Sequence, residues 1–245
     1  MNGLKGVPIR GFLLDINGVL YNTTKDGRGQ AIRGSAEAVK RLYAESKVKF
    51  LSNESCVTPA RLALRLSKLG IPVDPRNVFT PLSAAVSFLK EHKLRPHLLV
   101  HENVEEEFAE FQSSDPNCVL LGDAEDRFTF ENLNSAFRVL LKHPMIIVLG
   151  FGKFYRRADG HVMDAGCYAK ALQYASDARI KIIGKPCKSF FEQGLRELNM
   201  KKEEVVMVGD DILSDVGAAQ AIGIRGVLVR TGKWREERKK GGWKL

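Results

Sequence analysis

Residues 12–22 read FLLDINGVLYN. Three apolar residues run into Asp15, an amide stands two places on at Asn17, and Gly18 opens a second apolar stretch. A short apolar run of this kind predicts a buried strand. A carboxylate at the end of such a strand loses hydration, which is costly unless a partner meets it there. Those partners must come from elsewhere in the chain, and finding them decides how the rest is read.

Working outward, apolar runs alternate with amphipathic ones almost throughout. GFLLD, KVKFLS, PHLLVH, NCVLLG, MIIVLG, RIKIIG, EVVMVG and RGVLVR predict strands. GSAEAVKRLYAES predicts a helix opened by Ser35. TPARLALRLSKLG predicts one with Thr58 as N-cap, Pro59 at the first helical position and Gly70 as the stop. The Thr-Pro device recurs at Thr80 and Pro81, ahead of LSAAVSFLKEH. Further helices are expected at VEEEFAEFQ, ENLNSAFRVLLK, DAGCYAKALQYAS, SFFEQGLREL and SDVGAAQAIG. Such alternation predicts an α/β fold with a doubly wound, Rossmann-like parallel sheet covered on both faces. The strands are many for one compact sheet. A second α/β unit inserted at roughly 81–182, between core segments 1–80 and 183–245, is therefore expected.

The totals narrow the class. The chain has 245 residues, 44% of them apolar, enough for a sizeable core. No apolar run reaches the roughly 18 residues of a membrane span. MNGLKGVPIR lacks the apolar centre of a secretory signal. A cytoplasmic protein is expected, with the nucleus also open to it, and no membrane partner. Cys56, Cys118, Cys167 and Cys187 are scattered, without zinc or disulfide spacing, and read as free thiols. His97 and His101 are four apart, but they flank a predicted strand and so share no helical face. The net charge of +9 is concentrated in RTGKWREERKKGGWKL, where seven Lys/Arg oppose only Glu236 and Glu237. A basic end of this kind reads as solvated rather than as a nucleic-acid face.

Open parallel sheets place their sites at the carboxyl ends of strands. Asp15 ends the first strand, Ser52 and Asn53 the second, and Gly184 and Lys185 follow RIKII. Gly209, Asp210 and Asp211 end EVVMVG, with Asp215 shortly after. Paired carboxylates suit Mg²⁺, a hard ion that takes oxygen ligands and shares them with substrate phosphate. An Asp carboxylate can also attack phosphorus. Ser52, Asn53 and Lys185 would supply donors and one positive charge to the oxygens of a transferring phosphoryl group. Singly, each residue reads equally well as a turn or a helix cap. Four such groups in order, each directly after a strand-like run, do not.

DINGVLYN, LSNES, GKP and GDDILSD resemble the four motifs of the haloacid dehalogenase (HAD) superfamily of phosphatases, and the resemblance runs over nearly the whole chain. It implies Asp15 as nucleophile and Mg²⁺ ligand, with the main-chain carbonyl of Asn17 and the carboxylate of Asp210 as further ligands. Asp15, Ile16, Asn17, Ser52, Asn53 and Lys185 would contact the phosphoryl group. Asp211 and Asp215 would support the metal shell through water or hydrogen bonds. SNES, RPHLLVH, DAGCYAKALQYA and VGDDILSDVGAAQ, with VRTGK, are most similar to members acting on phosphohistidine, phospholysine and inorganic pyrophosphate. The substrate implied is a small phosphorylated molecule or a phosphohistidine protein. The family pattern also implies an inserted α/β cap, often paired into a homodimer. Members continue past RTGK with a further helical segment, where this sequence has WREERKKGGWKL.

Most members carry an Asp two places after the nucleophile, which protonates the leaving group and then activates water. Asn17 can do neither, because an amide neither gives nor takes a proton near neutral pH. That help is worth about 10²–10⁴-fold. An alkyl ester, with a basic leaving alkoxide, needs it. A phosphoramidate nitrogen can be protonated by solvent, and pyrophosphate leaves as a stable anion. Asn17 therefore favours P–N and P–O–P bonds. The alternatives are a metabolite esterase of the phosphoglycolate or pyridoxal-phosphate type, and a catalytically silent, protein-binding relative. Specificity is expected in GFGKFYRRADGHVMDAG, with Phe151, Phe154 and Tyr155, the basic Lys153, Arg156 and Arg157, and Asp164 at a helix start. A β-hairpin with exposed charges accounts for the same segment.

Overall fold

A computed structural model of the chain describes residues 7–24, 29–157 and 160–233, with the backbone alone at 156, 157, 160 and 161. The chain opens with β1 (Gly11–Leu14), a small hairpin of β2 (Tyr21–Asn22) and β3 (Gln30–Ala31), helix α1 (Ser35–Glu45), β4 (Lys47–Leu51), α2 (Pro59–Lys68) and β5 (Val78–Phe79). There follow α3 (Pro81–Glu91), β6 (Pro96–Leu99), β7 (Cys118–Leu121), α4 (Phe130–Leu140) and β8 (Met145–Leu149). A second hairpin, β9 (Phe154–Arg157) with β10 (Gly160–Met163), leads into α5 (Ala165–Ser176) and β11 (Arg179–Ile183). The remainder is α6 (Lys188–Leu198), β12 (Val205–Gly209), α7 (Ala218–Ala221) and β13 (Arg225–Leu228).

Two parallel sheets result. One has the order β13-β12-β1-β4-β5 and the other β11-β8-β7-β6. β1 lies centrally in the first, with Leu14 in register with both Val208 and Phe50. Sheets covered on both faces need strands that are apolar on both faces, which explains the uninterrupted runs of β7, β8 and β12. The pleat sends neighbours to opposite sides. Leu14 and Phe50 pack with Val39, Leu62 and Leu66 from α1 and α2. Leu13 and Leu51 pack on the other side with Phe190, Phe191 and Leu198 from α6. The second sheet repeats the scheme. Leu120 and Ile147 face Leu82 and Leu89 of α3, and Leu121 and Ile146 face Ala136 and Ala169 of α4 and α5. This is the expected α/β architecture, and every strand predicted from the sequence is present.

The differences are local. The N-cap of α1 is Gly34, at φ 84°, and Ser35 is the buried first helical residue. Thr58 does cap α2, accepting from the Arg61 N–H at 3.3 Å. Thr80 precedes α3 without a side-chain cap bond and is fully buried. The expected helix VEEEFAEFQ is a 3₁₀ segment at Glu102–Phe111. SDVGAAQAIG divides into a π-turn at Ile212–Gly217 and the short α7. No helix among the described residues is long and apolar enough to cross a membrane.

Candidate active site

The carboxyl ends of β1, β4 and β12, neighbours in one sheet, hold Asp15, Ser52 and Asp210. Lys185 arrives from the second sheet. The strand before it, β11, belongs to the other sheet, and Gly184 at φ 114° turns the chain back toward β1. Lys185 is then buried with its ammonium 2.5 Å from Asp15 Oδ1 and 2.7 Å from Asp215 Oδ1. Asn53 secures that return. Its amide accepts from the Lys185 N–H at 2.7 Å and donates to the Lys185 carbonyl at 2.8 Å.

Asp15, Asp210 and Asp215 are all buried, and their candidate ligand oxygens lie within 4.8 Å of one another. Burial pushes the Asp15 carboxyl above its ordinary value, against the pull of Lys185 and with a further push from Asp210. Asp210 is also raised by burial, despite the bond it accepts from the Lys233 N–H. Asp215 is raised by burial to about 6, with Lys185 opposing. Burial works against the Lys185 charge, but Asp15 and Asp215 outweigh it and move its pKa up. One ammonium among three desolvated carboxylates leaves a surplus of negative charge. Hard oxygen donors at this spacing fit a divalent cation such as Mg²⁺.

The other predicted residues fall around this group. Ile16 buries its side chain in the core, so only its backbone can face a ligand. Asn17 is exposed on the loop after β1, with its amide 3.5 Å from Thr23 Oγ1. Ser52 is buried and its Oγ accepts from the Glu54 N–H at 3.1 Å. Asp211 turns away from the carboxylate group. It caps the π-turn through the Leu213 and Ser214 N–H groups, at 2.9 and 3.1 Å, and pairs with Lys233 at 3.1 Å. The amide of Asp211 also donates to Asp215 Oδ2 at 3.2 Å.

Above the site, Asp164 caps α5 by accepting from the Ala165 N–H at 2.7 Å, and it lies within electrostatic reach of Lys233. Burial raises both Asp164 and Asp123, and a bond from Tyr155 opposes the rise at Asp123. Phe154 is exposed on the hairpin. The side chains of Arg156 and Arg157, and the basic tail from Trp234 on, lie outside the described residues. Two features escaped the sequence reading. Lys233, counted there with the basic tail, touches both Asp210 and Asp211. Cys56, Asp123 and Glu125 form a second group, in which burial and the surrounding carboxylates keep the thiol protonated. All four cysteines are free.

This geometry agrees with the comparisons. A family model described as haloacid dehalogenase-like hydrolase matches residues 12–114, and one described as HAD-hydrolase-like matches residues 182–243. Phospholysine phosphohistidine inorganic pyrophosphate phosphatase of Xenopus laevis is 46% identical over 93% of this chain and 85% of its own length. The Homo sapiens protein of that name is 45% identical over the same shares. The chain belongs to the haloacid dehalogenase superfamily. It is a hydrolase of that superfamily, of the phosphatase kind. Haloacid dehalogenase-like hydrolase domain-containing protein 2 of Bos taurus is 39% identical over 93% of this chain and 86% of its own. Among solved structures, p-nitrophenyl phosphatase from Archaeoglobus fulgidus superposes with a TM-score of 0.83 at 26% identity, covering 94% of this chain and 90% of that one.

Proposed function

We propose that this chain is a Mg²⁺-dependent phosphatase that cleaves P–N bonds, as in phosphohistidine, phospholysine and imidodiphosphate, and inorganic pyrophosphate, through an aspartyl-phosphate on Asp15. One observation carries the reading: three buried carboxylates, Asp15, Asp210 and Asp215, converge within 4.8 Å with Lys185 set among them. A bound divalent cation would offset the negative charge that accumulates as phosphorus is attacked. Asp15 and Asp210 would hold it, with the Asn17 carbonyl, and Asp215 stands beside them.

Lys185 orients the Asp15 carboxylate by a bond to Oδ1, and an oxygen of that carboxylate is offered to phosphorus. Its attack forms the P–O bond as the P–N or P–O–P bond breaks, and the leaving nitrogen takes its proton from solvent; water then attacks the aspartyl-phosphate, which releases phosphate and returns the Asp15 carboxylate. Ser52 and the Lys185 ammonium supply donors to the phosphoryl oxygens. Asn53, tied to the Lys185 main chain, acts by holding that ammonium in place. Asn17 supplies no proton, so the reading selects leaving groups that need none. The names of the relatives from Xenopus laevis and Homo sapiens support the same substrates.

Phosphate release from imidodiphosphate, phosphohistidine and phosphoserine, with and without Mg²⁺, tests the proposal. Mg²⁺-dependent turnover of the first two, well above the third, is expected. Asn17→Asp should raise phosphoserine turnover relative to imidodiphosphate by about 10²-fold or more. Equal turnover of all three substrates favours an esterase, in keeping with the Archaeoglobus fulgidus neighbour. No turnover of any favours the silent relative. The reading extends to a homodimer, which sedimentation of the full chain decides.

A further inference from the structure

After β13 the chain doubles back across the candidate site. Thr231 Oγ1 donates to the Gly18 carbonyl, in the loop that carries Asn17. Gly232 follows in the left-handed region at φ 57°, directly against Gly18, which is itself at φ 85°. A Cβ on Gly232 would overlap Asp210 Oδ2 and stand 2.7 Å from Gly18 Cα. The Lys233 N–H then donates to Asp210 Oδ2 at 2.7 Å, while its ammonium reaches Asp211 Oδ2 at 3.1 Å. The two acids of GDD are thus held by one residue in two ways, Asp210 by main chain and Asp211 by side chain.

We propose that Thr231, Gly232 and Lys233 form a positioning clamp that fixes the Asp210 carboxylate, and the loop of Asn17 beside it, in the orientation that receives the divalent cation; this rests on the proposed function. A neutral N–H orients a carboxylate without cancelling its charge. A lysine ammonium on the same oxygen would compete with the cation directly. Here the ammonium is engaged by Asp211. The other Asp211 oxygen, Oδ1, is taken by the Leu213 and Ser214 N–H groups at 2.9 and 3.1 Å. Glycine at 232 is required twice, by its positive φ and by the absence of room for a Cβ.

The clamp makes predictions of opposite sign for neighbouring residues, read by calorimetric titration of the full chain with Mg²⁺ and no substrate. Gly232→Ala should weaken Mg²⁺ binding about tenfold or more with unchanged far-UV circular dichroism, the effect typical of disturbing a ligand's support. Saturating Mg²⁺ should return most of its kcat, which general structural damage would not allow. Thr231→Val, which keeps the shape and removes the bond to Gly18, should weaken binding in the same direction, and it decides the matter if Gly232→Ala does not fold. Lys233→Met keeps the N–H and removes a positive charge, so it should bind Mg²⁺ as well as wild type or more tightly. Wild-type affinity in both Gly232→Ala and Thr231→Val overturns the clamp, as does a kcat that stays low at saturating Mg²⁺. Equal losses in Lys233→Met and Gly232→Ala also overturn it, since charge would then be the cause. If wild type binds Mg²⁺ and the variants match it, the clamp alone fails; a wild type that binds no Mg²⁺ overturns the proposed function as well.

Discussion

The two parallel sheets of this molecule are built alike and end differently. In the first, β1, β4 and β12 run into Asp15, Ser52 and Asp210. In the second, β7, β8 and β11 run into Gly122, Gly150 and Gly184. Gly150 and Gly184 have φ of 87° and 114°, and both lie against Asn53 of the first sheet. A Cβ on Gly184 would come 2.7 Å from Asn53 Oδ1. One set of strand ends concentrates charge; the other clears space so that the backbone can approach that charge. The shared architecture supplies the edge, and the residue just past each strand decides what the edge does.

The sharpest way to break the contrast is to remove the charge at its centre. Asp15→Asn keeps the shape and removes the proposed nucleophile, so phosphate release should fall by at least about 10⁴-fold in a steady-state assay. The protein should remain folded, because the packing of Leu13 and Leu14 is untouched. An enzyme that kept a tenth of its activity would remove residue 15 from the chemistry. Lys185→Met tests the other half. It leaves Asp15 and Asp215 buried without their cation, which should cost about 3–5 kcal/mol in metal-free urea denaturation. Mg²⁺ should return part of that loss by binding the folded state. A variant as stable as wild type would mean that the two carboxylates share a proton in place of the lysine.

Much of this was legible in the sequence, for identifiable reasons. Strands buried on both faces cannot hide their apolar runs, so GFLL, KVKFL and VVMVG announce themselves. Asp15, Ser52 and Asp210 follow directly from where those runs stop. Periodicity does not tell which sheet a strand joins, so nothing local shows that Lys185 reaches Asp15 from the second sheet. Helix type was equally hidden. Glu102–Phe111 has helical composition, yet it winds as 3₁₀. The hardest feature to see was Lys233. Its place on Asp210 depends on Gly232 meeting Gly18, a contact across 214 positions that no local pattern records.

The smallest predicted effect separates two carboxylates within the charged edge itself. Asp215 has an ordinary value of 3.8 and is raised by burial to about 6 in the folded chain. Between those values the folded chain keeps a proton that the unfolded chain has released. The stability tied to this group is therefore complete below pH of about 4 and is lost as pH rises through 6. Asp211 behaves in the opposite way. Burial alone would raise it, but Lys233 and two N–H groups hold it at about 2, so its contribution is present above 3.8 and lost as pH falls toward 2. The two windows barely overlap. In urea titrations with a chelator, wild type should lose stability between pH 4 and 6.5, and Asp215→Asn should lose less, by on the order of 2 kcal/mol. Saturating Mg²⁺ should flatten the wild-type slope, since a cation favours the ionised carboxylates that burial resists. If Asp215→Asn shows the same slope as wild type, the excess proton resides on Asp15 or Asp210, and the surplus charge at this edge is held by the pair that the cation would bridge.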